Sequence, residues 1–71
     1  MNNIEQEIGA QIRSVRAKKR ITQRQIAMQL GISTHQLYKY ESGRDKVSVS
    51  RLHEIAIALE VLVVELLPTY F

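Results

Sequence analysis

Apolar residues recur along this chain at helical intervals, and only Val47-Ser48-Val49-Ser50 alternates, too briefly to build a sheet. Ile4, Ile8, Ile12 and Val15 form the inward stripe of a first helix. Asn3 and Gln6 suit its start, and Lys18-Lys19-Arg20 suit the negative end of its dipole. Thr22 to Gln25 has the form of a capping box, in which two side chains satisfy each other's backbone N–H groups. It opens a second, short helix with Ile26, Ala27 and Leu30 inward. Gly31 can take the positive φ that ends a helix, and Ile32 follows as a buried turn residue. Ser33 to Gln36 repeats the box and starts a third helix with Leu37 and Tyr40 inward, closed by Gly43. Ser48 is placed to cap a fourth helix with Val49, Leu52, Ile55, Ala56 and Leu59 inward. A last short apolar helix is expected from about Leu62 to Leu67, before the single proline, Pro68.

Two short capped helices hinged at one glycine, with an apolar residue after it, form the pattern of a helix-turn-helix, here about residues 22–42. At about 100° per residue, Leu37 and Tyr40 mark the core side of the third helix. His35, Tyr38, Lys39 and Ser42 then gather on the opposite side, with Thr34 and Glu41 along one edge. Imidazole, phenol, ammonium and hydroxyl groups on one outward face suit base edges and phosphates.

Charge sharpens this picture. The chain has 71 residues, a single domain's worth, and a net charge of +3 that is unevenly spread. Residues 1–46 carry nine Lys and Arg against four acids, whereas residues 47–71 carry Arg51 against Glu54, Glu60 and Glu65. A basic front and an acidic, apolar tail imply one surface for a polyanion and another for packing. There is no cysteine, and the two histidines are isolated, so neither disulfides nor a metal are expected to staple so small a core. A partner subunit is the remaining staple. No apolar stretch has the length of a secretory signal or a membrane span, so the expectation is a soluble, cytoplasmic protein. Catalysis is not expected. Ser33, Ser42 and His35 lie on neighbouring turns, but no carboxylate stands behind His35, and no phosphate loop, paired-acid motif or cofactor signature occurs.

The segments Ile12-Arg13-Ser14-Val15-Arg16, Ile21-Thr22-Gln23-x-x-Ile26-Ala27-x-x-Leu30-Gly31-Ile32-Ser33, and Leu37-Tyr38-Lys39-Tyr40-Glu41-Ser42-Gly43 resemble the Cro/C1-type helix-turn-helix family of phage repressors and bacterial regulators. Leu52-x-x-Ile55-Ala56-x-x-Leu59 extends the likeness to roughly residues 8–67. The resemblance implies an all-α, five-helix phage-repressor-like domain whose third helix lies in the major groove of operator DNA. It places base contacts at Ser33, Thr34, His35 and Lys39, with Tyr38 beside them, and a phosphate contact at Gln23. Thr22 at the start of the second helix, Ser42, and Arg44 and Lys46 in the following loop complete the expected phosphate set. The family also pairs an arginine with a glutamate between the first and third helices, here Arg16 and Glu41. Arg20 and Glu60 stand where the family often has glycine, and Leu62 where it often has a polar helix start. The implied function is a sequence-specific regulator of transcription, a repressor by resemblance. Ile57, Leu62, Val64, Tyr70 and Phe71 have no place in the core pattern and are read as a homodimer surface. The alternative is an antitoxin-like or adaptor module whose main partner is another protein.

Overall fold

Each helix begins where a side-chain oxygen can stand in for a missing backbone partner. In a computed structural model, which describes residues 3–68, Asn3 Oδ1 accepts from the Gln6 N–H at 3.1 Å and opens α1, Ile4–Lys18. Thr22 Oγ1 accepts from the Gln25 N–H at 3.1 Å, and Gln25 Oε1 accepts from the Thr22 N–H at 2.8 Å. This full box opens α2, Gln23–Leu30. Ser33 Oγ caps α3, Thr34–Glu41, and Ser48 Oγ caps α4, Val49–Leu59. A 3-10 turn, Val63–Leu66, ends the order of elements, and the described residues contain no strand.

The helix ends share one device. Arg20, Gly31, Gly43 and Glu60 all have positive φ, between 58° and 77°. The N–H one residue later bonds back to a carbonyl five positions earlier: Ile21 to Arg16, Ile32 to Ala27, Arg44 to Lys39 and Val61 to Ala56. In three of these turns the next two residues are an apolar side chain and then the start of the following element: Ile21-Thr22, Ile32-Ser33 and Val61-Leu62. That apolar residue and the one five positions on stand in the register of a hydrophobic staple around the cap. The pairs are Ile21 with Ile26, Ile32 with Leu37, and Val61 with Leu66; Val47 with Leu52 does the same around Ser48. The second member of each pair is in the core, and the first packs against it.

The core is built on Ile12, Ile26, Leu37, Ile55, Leu59 and Leu66, all fully buried. Around it α1 packs on α3, α4 and the 3-10 turn, while α2 packs on α3 and α4. Gly9 permits the α1–α3 approach. A Cβ there would lie 2.4 Å from the Tyr40 carbonyl oxygen and 2.5 Å from that of Glu41.

Three sequence expectations change. The fifth element is a four-residue 3-10 turn rather than an α-helix, so the described residues form four α-helices. Leu62 brings no capping oxygen, although Glu65 Oε2 accepts from its N–H at 2.9 Å. At the other end Pro68 excludes the helical conformation from Leu67, which is extended at φ −99°, ψ 152°. Too few residues remain between them to propagate a helix. Val49, expected inward, is 87% exposed. It is the first residue of α4, and Val47, before the cap, occupies the inward place instead; Ala58 joins the core further along. The second capping box is half formed: Gln36 turns away from Ser33 and bonds Asp45.

Candidate nucleic-acid interface

The first turn of α2 forms one wall of the site. The capping box occupies the N–H groups of Thr22 and Gln25, while those of Gln23 and Arg24 have no partner within a helix of this geometry. The dipole of the helix adds partial positive charge at the same end. Opposite stand the last turns of α1 and α3. Arg13, Arg16, Thr22, Gln23, Tyr38, Glu41 and Ser42 line the resulting open cleft of about 480 Å³.

Glu41 anchors the cleft floor. Arg16 Nε donates to its Oε2 at 2.7 Å and Arg16 Nη2 to its Oε1 at 3.1 Å. A third guanidinium bond, from Nη1, reaches the Ile21 carbonyl at 2.8 Å. Gln23 Nε2 also donates to Glu41 Oε1, at 3.0 Å. The side chains of Arg16 and Glu41 are only 14% and 3% exposed, so this is a largely desolvated pair with its geometry satisfied. It fixes the starts and ends of three helices: α1 through Arg16, α2 through Gln23, α3 through Glu41. Gln23 thus has a structural bond that the sequence reading did not assign, and its second amide hydrogen remains for another acceptor.

The outward face of α3 carries Thr34, His35 and Tyr38, all exposed. The rings of His35 and Tyr38 stack, with centroids 6.2 Å apart and an interplanar angle of 20°. The Arg44 guanidinium lies over the Tyr38 ring, 5.8 Å from its centroid. Ser33 Oγ accepts from the Gln36 N–H as the α3 cap, which leaves its own hydrogen to donate. Lys39 is half-buried, with its ammonium 3.5 Å from Asp45 Oδ2. Ser42 Oγ donates to the Lys39 carbonyl at 3.2 Å, so its hydrogen is committed within the protein. Lys46 is exposed in the loop after α3.

Two residues of this region escaped the sequence reading. Arg13 lies one turn before Arg16 and lines the cleft; its exposed position beside a paired arginine was the available signal. In the sequence Asp45 stands only as a break between two cations, Arg44 and Lys46. It is instead bound to Gln36, at 2.9 Å, and to Lys39. The Gln36 amide does most to hold its carboxyl below the usual carboxylate value; partial burial opposes it, and Lys39 and, less, the His35 charge add to the lowering. Asp45 is therefore ionised at neutral pH.

The apolar residues left over by the core lie elsewhere. Ile57, Leu62 and Val64 are each more than half exposed. Tyr70 and Phe71 lie outside the described residues. No helix of the described residues is long and apolar enough to cross a membrane.

The profile of the helix-turn-helix domain family matches residues 7–67. The chain belongs to that family. Its relatives include an uncharacterized transcriptional regulator in the ATPase CF(0) region of Rhodospirillum rubrum, 36% identical over 61 residues, covering 86% of this chain and 56% of the relative. An uncharacterized HTH-type transcriptional regulator of Sinorhizobium medicae is 37% identical over 60 residues, or 84% of this chain and 43% of that protein. The chain thus spans about half the length of the curated relatives it matches. Among solved structures, the clp gene regulator ClgR from C. glutamicum superposes with a TM-score of 0.90 at 32% identity, over 93% of this chain and 86% of that one. The DNA-binding domain of BldD gives 0.84 at 28%, covering 96% and 100%. The restriction-modification controller protein C.AhdI of Aeromonas hydrophila gives 0.81 at 26%, covering 86% and 92%. These neighbours agree with the Cro/C1-type resemblance in the sequence.

Proposed function

We propose that this helix-turn-helix domain reads duplex operator DNA in the major groove and represses transcription as a homodimer. The observation that carries the reading is the outward face of α3, where Thr34, His35 and Tyr38 are exposed next to a cationic loop and the open α2 cleft. Ser33, Thr34, His35, Tyr38 and Lys39 are the base-reading set. Thr22, Gln23, Ser42, Arg44 and Lys46 are the backbone set, to which the cleft adds Arg13. Ser42 serves there through its oxygen or backbone, since its hydrogen is held by Lys39. The names of the relatives and structural neighbours support the same reading.

Selection of duplexes from a random-sequence pool, followed by titration at several salt concentrations, tests it. The three cations of the backbone set, Arg13, Arg44 and Lys46, correspond to a log–log salt slope of about −3 per protomer, doubled for a dimer. The selected duplex should outcompete random sequence by at least about tenfold. Equal binding to both would reject the regulator reading and favour a module whose main partner is another protein.

A further inference from the structure

The loop after α3 places one carboxylate in the middle of an otherwise cationic reading face. Asp45 lies between Arg44 and Lys46, yet its side chain turns back onto α3. Its Oδ2 accepts from Gln36 Nε2 at 2.9 Å and stands 3.5 Å from the Lys39 ammonium. The backbone fixes this position. The Lys39 carbonyl receives the Arg44 N–H at 2.9 Å, the Asp45 N–H at 3.3 Å and the Ser42 hydroxyl at 3.2 Å. The carboxylate is therefore held against the one lysine of the reading helix.

We propose that Asp45 is a specificity-determining residue, which keeps Lys39 from unrelated duplex and releases it only to a base edge that replaces the carboxylate. This rests on the DNA-reading function proposed above. Unrelated duplex offers the face mainly phosphates, and binding to it is counted in cations. While Lys39 is paired with Asp45 the two contribute no net charge, and the carboxylate repels an approaching phosphate. A guanine in the right place offers two acceptors, O6 and N7, to a lysine. The Lys39 and Asp45 side chains are 33% and 42% exposed, so the pair is open enough to exchange for that partner. Discrimination then comes from weakened binding to the wrong sequence as much as from contacts to the right one.

The alternative is that Asp45 only orders the loop. An asparagine separates these roles, because its side-chain oxygen can still accept from Gln36 while the charge is gone. The experiment measures binding of the wild type, Asp45→Asn and Asp45→Glu to the duplex that the wild type selects from a random pool, and to random-sequence duplex, over a range of salt. Asp45→Asn should bind random duplex at least about threefold more tightly, with a salt slope steeper by about one. The ratio of selected to random affinity should fall by a similar factor, with an unchanged unfolding midpoint. Asp45→Glu should keep the ratio. In a Lys39→Ala background, Asp45→Asn should no longer move it. An unchanged ratio and slope in Asp45→Asn, or equal losses on both duplexes, would overturn the proposal and leave Asp45 a loop residue. If the wild type itself fails to separate the two duplexes, it is the DNA-reading function that fails.

Discussion

Glu41 accepts hydrogen bonds from two nitrogens of Arg16 and one of Gln23, with only 3% of its side chain exposed. Truncating it strands a largely buried guanidinium and an amide at once. Glu41→Ala should therefore lose about 3–5 kcal/mol in urea unfolding, the range for breaking a buried pair on one side. A loss below about 1 kcal/mol would show that the bridge behaves as an exposed one. Single residues on the reading face should separate by what they touch. His35→Ala should cost about 1–3 kcal/mol on the selected duplex and relax preference at one base position. Lys46→Ala should weaken all duplexes alike and flatten the salt slope by about one. Sequence-blind losses in both would mean that α3 does not read bases with this face.

Between elements, glycine has two different uses, and they predict different costs. At Gly31 a Cβ would meet nothing within 4 Å, so alanine brings only the strain of a φ of 72°. That strain is about 1–2 kcal/mol. Arg20 and Glu60 already bear it in equivalent turns, at φ 58° and 59°. At Gly9 the obstruction is backbone, the carbonyls of Tyr40 and Glu41, and α1 cannot stay where it is against α3. Gly9→Ala should therefore destabilise more than Gly31→Ala, by at least the about 1–3 kcal/mol of overpacking. It should also disturb the Arg16–Glu41 bridge, which spans the same two helices. Thermal unfolding of the two variants side by side decides the order; the reverse order would mean that the α1–α3 contact yields easily.

For the whole molecule, the question is what covers Ile57, Leu62 and Val64. Single exposed apolar residues are common, but these belong to α4 and the segment after it, on the acidic part of the chain. A two-fold partner there would set two reading helices about 34 Å apart on one face of the duplex. Truncation is a poor test, because Leu66 is fully buried and its loss would open the core. Charging the exposed positions is better. Leu62→Glu with Val64→Glu should leave the unfolding midpoint and single half-site binding nearly unchanged, and remove the gain from paired half-sites. If paired half-sites bring no gain to the wild type either, the domain reads DNA as a monomer.

The sequence by itself determined α1 to α4, the side-chain oxygens that open them and the hinge at Gly31, because these rest on interactions within three to five residues; the last segment, which it read as a helix, is a 3-10 turn. Ser48 bonding the Arg51 N–H is legible wherever the chain later packs. The resemblance added the Arg16–Glu41 pairing, which no local pattern contains. Only the tertiary structure decided the rest. Val49 and Val47 both fit an apolar face, and the packing of the chain onto the core took Val47 and left Val49 exposed. Gly9 reads as a weak point in a helix until α3 is laid across it. Asp45 reads as a stray charge until the chain reversal after α3 returns it to Gln36 and Lys39. Each of these depends on where a distant or reversed segment lies, and that position is set by packing rather than by local propensity.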